Sequence, residues 1–137
     1  MIVLDTNVLA ELMRPHPDEK VRTWLLSIGN ERLAITAITV SEIEFGLQRL
    51  PDGIRQHDLR QHFATLVSGL KVLPLDESAA AFAGAFRAQR EKMGLPTTPS
   101  DMMIAGIVMQ VGGLLATRNT RDFKHLPIEL RYPWAIS

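Results

Sequence analysis

Short apolar segments alternate along this chain with longer segments whose apolar residues recur every three or four positions. The predicted strands cover residues 1–4, 33–36, 71–75 and 114–117, with a fifth near 128–131. The intervening segments have the period of amphipathic helices, about 9 to 18 residues long. Alternation of this kind predicts an α/β domain with a mainly parallel sheet that is covered by helices on both faces.

The length and composition of the chain favour a single domain. With 137 residues, of which 46% are hydrophobic, it has the size and the apolar content of one compact unit. We therefore expect one domain over residues 1–137. The absence of cysteine excludes disulfides, thiolate metal sites and cysteine nucleophiles, and it suits a reducing cytoplasm. The four histidines show none of the spacings of a zinc site.

No targeting or membrane segment is evident in the sequence. The longest apolar stretch, Met102 to Met109, is far shorter than the roughly 20 residues that a bilayer requires, and the N-terminus lacks the features of a signal peptide. We expect a cytoplasmic protein without a membrane partner. Fifteen basic residues balance fifteen acidic ones, so any binding to nucleic acid requires a local basic patch.

Four acidic residues lie where predicted strands end or where the following helices begin. Asp5 directly follows the first strand, and Glu42 lies in the first turn of the helix predicted after the second strand. Asp101 begins an almost wholly apolar helix, and Asp122 follows the strand that ends at Thr117. In a parallel sheet, ligands bind at the carboxyl ends of the strands, near the point where the winding order reverses. Gathered carboxylates repel one another and are suitable ligands for Mg²⁺ or Mn²⁺. The pattern therefore indicates a divalent-metal site.

Helix capping is the alternative explanation for three of these acids. Three segments resemble capping boxes: Thr39 to Glu42, Thr98 to Asp101 and Asn119 to Asp122. The residues alone leave Glu42 and Asp122 open between cap and metal ligand. Asp5 and Asp101 are harder to explain as caps, because a carboxylate among apolar residues is costly unless it is paired or bound to metal.

Four segments resemble, in their order and spacing, the motifs of PIN-domain toxins of the VapC type: MIVLDTNVLAELMRP, TAITVSEIEFGL, TPSDMMIAGIVMQ and LLATRNTRDF. The resemblance covers essentially the whole chain, and the RYPW segment near the end is similar to the FitB-type branch of that family. It implies a three-layer α/β/α sandwich and Mg²⁺-dependent endoribonuclease activity, with Mn²⁺ as an alternative ion. It also implies a homodimer and a small cognate antitoxin protein that blocks the site.

The resemblance assigns the acidic positions of the site. Asp5, Glu42 and Asp101 match the acidic core of the family, with Asp5 and Asp101 as its principal metal ligands. The fourth position matches either Asn119 or Asp122, and the motif leaves that choice open.

Further polar and basic residues match or flank the family's motifs. Thr6, Asn7 and Thr117 match polar positions that shape the site, with a local turn or cap hydrogen bond as the alternative role of each. Candidates to hold RNA phosphates lie close to the acids in the sequence motifs, with solvated surface charges as the alternative. These candidates are Arg14, Arg118, Arg121 and Lys124.

The expected reaction is hydrolysis of an RNA phosphodiester by a metal-activated water. A haloacid-dehalogenase-like phosphatase is the enzymatic alternative, because Asp5-Thr6-Asn7 resembles the start of its nucleophile motif. Asn7, however, stands where that family has its general acid. A receiver-type phosphorylation domain is disfavoured. It requires paired acids after its first strand and an acceptor aspartate after its third, whereas the third predicted strand here ends in Pro74, Leu75 and Asp76. A catalytically silent PIN-like module that only binds RNA or protein is the non-enzymatic alternative, and the three intact carboxylates argue against it.

Overall fold

The computed structural model describes residues 1–135, so the last two residues of the expected domain, 136 and 137, lie outside the described part. In chain order its elements are β1 (Ile2–Leu4), α1 (Thr6–Met13), α2 (Glu19–Ser27), β2 (Leu33–Thr36), α3 (Ala37–Arg49), α4 (Ile54–Ser68), β3 (Lys71–Leu73), α5 (Glu77–Lys92), α6 (Pro99–Val111), β4 (Leu114–Ala116), a 3₁₀ helix (Thr120–Phe123) and β5 (Glu129–Arg131).

The five strands form one parallel sheet in the order β3-β2-β1-β4-β5. The chain winds from β1 outward through β2 to β3, then returns to the other side of β1 and continues through β4 to β5. The winding order therefore reverses between β1 and β4, where Leu4 is paired with Ala116. This is the place where α/β proteins bind their ligands. The residues that follow these two strands, Asp5 and Thr117, consequently lie side by side.

Helices cover both faces of the sheet, as the apolar strands predicted. Along β1, Val3 packs into a core with residues of α5 and α6, whereas its neighbours Ile2 and Leu4 pack into a second core with residues of α1, α2 and α3. Successive strand side chains point to opposite faces, so each core receives alternate residues. The result is the expected three-layer α/β/α sandwich, with all strand pairs parallel.

Helix α6 is fixed closely against α5 and is limited by clear end signals. A Cβ added at Gly106 would collide with the backbone carbonyl of Ala79, so the two helices approach more closely than a larger residue would allow. Thr98 caps the start of α6, and Gly112 ends it in the left-handed conformation, with φ at 65°. The first turn of α6, which carries Asp101, is therefore held in a defined position. Among residues 1–135, no helix is long and apolar enough to cross a membrane.

The start of α3 differs from the sequence-based prediction. The helix begins at Ala37 rather than Thr39, because the hydroxyl of Thr36 accepts a hydrogen bond of 3.1 Å from the backbone N–H of Thr39. Thr36 has extended backbone angles and so serves both as the last residue of β2 and as the cap of α3. Glu42 therefore lies in the second turn of the helix, and the capping box predicted from Thr39 to Glu42 is wrong.

Candidate active site

Asp5 occupies the centre of the sheet edge at which the winding order reverses. Its backbone N–H donates to the carbonyl of Ala116 at 2.9 Å, which continues the pairing of β1 with β4. Its Oδ1 accepts from the backbone N–H of Thr6 at 2.8 Å, and its Oδ2 accepts from the hydroxyl of Thr117 at 2.7 Å. The side chain is buried. Asp5 is thus a carboxylate fixed by donors from two strand ends.

Burial is the largest influence on the acidity of Asp5. It raises the pKa of the carboxyl above its usual range, while the hydrogen bonds from Thr117 and Thr6 lower the pKa and the nearby charge of Glu42 raises it. The amide of Asn7, 3.4 Å from Oδ2, also lowers it. Asp5 is therefore a weaker acid than a free aspartate, and among residues 1–135 it forms no ion pair with Lys, Arg or His.

Glu42 reaches the same site from α3. Its Oε1 accepts a hydrogen bond of 2.6 Å from the hydroxyl of Thr6, the residue that directly follows Asp5. The Thr6 hydroxyl also lies 3.0 Å from that of Thr39, which in turn lies 3.4 Å from that of Thr36. This hydroxyl chain joins the ends of β1 and β2 to α3. Because it orients Glu42 beside Asp5, the carboxylate faces the site instead of capping its own helix.

Asp101 enters the site at the third position of α6, where its backbone N–H donates to the Thr98 hydroxyl at 3.2 Å. The predicted cap at Thr98 is therefore present, but the Asp101 carboxyl also senses the other acids. Partial burial raises its pKa to about 6, the Thr98 hydroxyl opposes this rise, and the charges of Asp5, Asp122 and Glu42 add to it. The four acids separated in sequence share one electrostatic environment.

The 3₁₀ helix after β4 carries the two alternatives for the fourth position. Asp122 lies in its first turn and contributes charge to Asp101. The side chain of Asn119 makes no capping hydrogen bond, so the predicted capping box at this helix is wrong as well. The contribution of Asn119 is its backbone N–H, which donates to the Thr117 hydroxyl at 3.0 Å. Asp122 is therefore the residue that adds a fourth negative charge.

The predicted supporting residues are found beside Asp5. The Thr117 hydroxyl donates to Asp5 and accepts from Asn119, so it uses both of its hydrogen-bonding capacities. Asn7 accepts a hydrogen bond from the backbone N–H of Arg118 at 3.1 Å through its Oδ1. These contacts fix the segment after β4 against the start of α1.

The predicted basic residues do not form one cluster. Arg118, Arg121 and Lys124 line an open cleft of about 580 Å³ together with Asp122 and Tyr132. Arg14 lies instead in a second cleft, of about 540 Å³, between α1, α3 and α4. Its guanidinium lies 3.2 Å from the buried carboxylate of Glu11, which already balances its charge. Arg118 lines both clefts, so the expected grouping holds for three of the four cations.

The four acids do not form a closed set of metal ligands. Among residues 1–135, no group of three or more histidine or acidic side chains is arranged to hold a metal ion. In the same part of the chain, no Lys, Arg or His forms an ion pair with Asp5, Glu42, Asp101 or Asp122. Clustered carboxylates without a cationic partner are nevertheless the donor set that suits a hard divalent cation. The residues present therefore fit Mg²⁺ by their chemistry.

Comparison with known proteins identifies the family. Residues 2–129 match the family model described as PIN domain. The chain belongs to the PIN domain family. This PIN domain is 36% identical to a protein of Sinorhizobium fredii named VapC ribonuclease Y4jK, over 98% of both chains, and 34% identical to Toxin FitB of Neisseria gonorrhoeae, over 98% of this chain and 99% of that one.

Solved structures support the same assignment. The crystal structure of FitAcB from Neisseria gonorrhoeae contains a chain that superposes on this PIN domain with a TM-score of 0.90 and 32% identity. The superposition covers 99% of this chain and 100% of the other. The resemblance to VapC-type toxins and to the FitB-type branch is therefore confirmed at the level of family and fold.

Several residues that shape this PIN domain site were not predicted from the sequence. Thr36 and Thr39 both occur in the motif TAIT. Thr39 was predicted to begin the helix, whereas Thr36 is its cap. Tyr132 and Trp134 lie beside Arg118, but their segment RYPW was used only as a mark of the family. Both features were visible in the sequence. TAIT offers two threonines as helix caps, and RYPW places an aromatic residue next to a basic one.

Proposed function

We propose that this PIN domain is a Mg²⁺-dependent endoribonuclease that acts as the toxin of a toxin–antitoxin pair. The observation that carries the proposal is the convergence of four acids, from four parts of the chain, at the sheet edge where the winding order reverses. The names of the two relatives, a ribonuclease and a toxin, supply the class of reaction and its biological role.

The proposed metal-binding residues are Asp5 and Asp101, with Glu42 and Asp122 completing the negative site. A bound Mg²⁺ or Mn²⁺ supplies an activated water and stabilises the charge that develops on a phosphate during hydrolysis. The chain itself keeps Asp5 in place through Thr117 and keeps Glu42 in place through Thr6. In this way the protein fixes the acids before a metal or substrate arrives, which is the general requirement for electrostatic catalysis.

The phosphatase alternative receives no support. Asn7, at the position where a general acid would be required, is an amide that bonds to the backbone of Arg118. The relatives named above are a ribonuclease and a toxin. A catalytically silent module is disfavoured as well. Such a module does not need a set of catalytic acids, yet Asp5, Glu42, Asp101 and Asp122 are all present and share one environment.

A ribonuclease that harms its own cell requires an inhibitor, and we propose that a small antitoxin protein covers the second cleft. That cleft combines apolar residues of α1, α3 and α4, such as Met13, Leu47 and Leu59, with Glu42 and Arg118 of the site. An occupant placed there would lie directly against Glu42. We further propose that the protein acts in the cytoplasm as a homodimer, as its family resemblance implies.

The test of the nuclease proposal is cleavage of RNA by the purified protein. We expect cleavage with Mg²⁺ or Mn²⁺, none in EDTA, and recovery when the ion is restored. Asp5→Asn and Asp101→Asn should lose the activity and should no longer slow the growth of a host that expresses them. Asp52→Asn, at an exposed acid, serves as the matched control and should behave like the parent. Cleavage that persists in EDTA would contradict the metal-dependent mechanism.

A further inference from the structure

The cleft along the 3₁₀ helix is a basic pocket that shares Asp122 with the acidic site. Its lining includes the cations Arg118, Arg121 and Lys124, the ring of Tyr132, and Asp122, whose charge acts on Asp101. Its volume of about 580 Å³ lies in the range of about 300 to 1,000 Å³ that is usual for small-ligand sites. We call it the basic cleft.

The cations of the basic cleft are not neutralised by neighbouring acids. Among residues 1–135, none of Arg118, Arg121 and Lys124 forms an ion pair with a carboxylate. Arg118 is held in another way, because its guanidinium lies 5.0 Å from the ring centroid of the buried Trp134. A cation–π contact of this kind positions a guanidinium and leaves its N–H donors available for an anion.

Tyr132 presents a large ring to the same space. It is 43% exposed, and its ring centroid lies 6.0 Å from that of Trp134, with the two planes inclined by 42°. Trp134 thus supports Arg118 and Tyr132 together. An exposed ring beside unpaired cations is the arrangement with which proteins bind single-stranded nucleic acid, since bases stack on the ring and phosphates contact the cations.

Backbone hydrogen bonds connect the basic cleft rigidly to Asp5. The N–H of Thr117 donates to the carbonyl of Arg131 at 2.9 Å, and the hydroxyl of the same threonine donates to Asp5. Tyr132 is the next residue after Arg131, so its backbone is held close to Asp5. On the opposite side, the buried Arg90 donates from Nη1 to the carbonyl of Lys124 at 2.6 Å. The segment that carries Tyr132 is therefore tied to the partner of Asp5, and Lys124 is tied to α5.

We propose that the basic cleft binds one unpaired RNA nucleotide adjacent to the phosphate that is cleaved, with its base stacked on Tyr132 and its phosphate held by Arg118, Arg121 and Lys124. This inference rests on the proposed ribonuclease function and adds a substrate subsite to it. The base must be unpaired, because the edges and faces of bases are accessible to proteins chiefly in single strands and loops. Tyr132 is thereby a substrate-binding residue outside the acidic cluster.

The test measures binding separately from cleavage. A labelled single-stranded RNA of about eight nucleotides, within the span that such sites contact, is titrated with each protein in EDTA, and its anisotropy gives Kd. We expect Tyr132→Ala to weaken binding by about 10-fold or more, which is within the loss usual for one stacked base. Tyr132→Phe keeps the ring and should bind within about twofold of the parent. Melting curves verify that each variant is folded.

Phe45 provides the matched control. It is 64% exposed and lies under Arg49, whose guanidinium carbon is 5.4 Å from the ring centroid, but it is on α3 and outside the basic cleft. Phe45→Ala should therefore leave the Kd for RNA unchanged. An RNA carrying 2-aminopurine should in addition lose fluorescence on binding to the parent and to Tyr132→Phe, and much less on binding to Tyr132→Ala, because stacking quenches the base.

Different outcomes separate this subsite from the nuclease function. If the parent cleaves RNA with Mg²⁺ but Tyr132→Ala binds as tightly as the parent, the subsite is overturned and the nuclease stands. If binding depends on Tyr132 but no divalent ion supports cleavage, the subsite stands and the nuclease fails. Equal binding of an RNA duplex of the same sequence would overturn the assignment to an unpaired nucleotide.

Discussion

The hydroxyl of Thr117 lies 2.7 Å from Oδ2 of Asp5 and joins two residues that are 112 positions apart in the sequence. Both side chains are buried. The bond links the carboxyl ends of β1 and β4, where the winding order of the sheet reverses. It also opposes the rise in the pKa of Asp5 that burial causes. One threonine therefore contributes both to the sheet edge and to the charge of the site.

Thr117→Val should destabilise the protein while changing its shape very little. The valine has no hydroxyl, so Asp5 loses a donor and the backbone N–H of Asn119 loses its acceptor. Leaving a buried acceptor without its donor costs about 1 to 3 kcal/mol. We expect a loss of that size in the free energy of unfolding at pH 7, measured by urea denaturation. Thr117→Ser keeps the hydroxyl and should lose less; equal stability of both variants would contradict this role of the bond.

The metal-free protein should become less stable as the pH rises from about 4 to about 6. The pKa of Asp101 is about 6 in the folded protein and 3.8 in its unperturbed state, so the folded state holds this proton more tightly than the unfolded chain does. The stability that this proton contributes is present at low pH and is lost as the pH passes the folded pKa. In EDTA at pH 7.5, Asp101→Asn should therefore melt at a higher temperature than the parent.

The pH dependence of that difference isolates Asp101 from other titrating groups. Parent and variant share every other acid, so subtraction of their melting temperatures at each pH removes the common contributions. The advantage of Asp101→Asn should shrink towards pH 4, where the parent is protonated at this position. A variant that melts below the parent at pH 7.5 would show that the Asp101 carboxylate stabilises the metal-free fold.

Added Mg²⁺ should reverse the order of stability of these two proteins. A ligand that binds only the folded state raises its stability further as its concentration grows, by about 2.7 kcal/mol at 100 times Kd and about 4.1 kcal/mol at 1,000 times Kd, so the reversal is expected near saturation. The parent should melt at increasing temperatures as Mg²⁺ is titrated, whereas Asp101→Asn should respond only weakly because it lacks a proposed ligand. Differential scanning fluorimetry gives both curves, and Asp52→Asn should follow the parent. Identical shifts in all three proteins would remove Asp101 from the proposed metal site.

The sequence predicted those parts of the fold and site whose signals are local. Asp5 and Asp101 were recognisable because each interrupts an apolar segment, and the cap at Thr98 followed from its spacing to Asp101. The parallel sheet followed from short apolar strands that are buried on both faces. These features depend on neighbours in the chain, so periodicity and composition were sufficient to identify them.

Other features depend on contacts between distant segments and could not be predicted in that way. The cap of α3 was misplaced because Thr36 and Thr39 both suit a helix start, and only the end of β2 decides between them. Arg14 is an exception, because its ion pair with Glu11 spans only three positions and was a local signal that the prediction did not use. The position of Tyr132 beside the site depends on the pairing of β5 with β4.

A homodimer should form at micromolar concentration. None of the apolar residues of α4 is fully buried, and Ile54 at its start and Leu26 on α2 are each 81% exposed. This leaves apolar surface on α2 and α4 that a second copy of the chain can cover. Light scattering should give about twice the chain mass of 15.3 kDa, at concentrations that populate a modest interface. A mass of one chain under these conditions would reject the dimer.

Glu42→Gln should abolish most of the activity and leave the fold intact. Glutamine keeps the size of the side chain, and its amide oxygen still accepts the hydrogen bond from Thr6. The helix loses no cap, because Thr36 fills that position. The free energy of unfolding should therefore change by at most about 1 kcal/mol, as expected when a hydrogen bond is kept with a neutral acceptor.

The activity of the same variant should respond to the lost charge. A carboxylate that helps to hold Mg²⁺, or that orients water beside it, contributes electrostatically to the transition state, and removal of such a contribution commonly lowers the rate on the order of 100-fold or more. Glu44→Gln is the matched control. Glu44 lies two residues after Glu42 on α3, on another side of the helix, and pairs with Arg60 at 2.9 Å. We expect Glu44→Gln to cleave RNA like the parent. Parental activity in Glu42→Gln would restrict the working site to Asp5, Asp101 and Asp122, because the bond from Thr6 would then account for the whole role of Glu42.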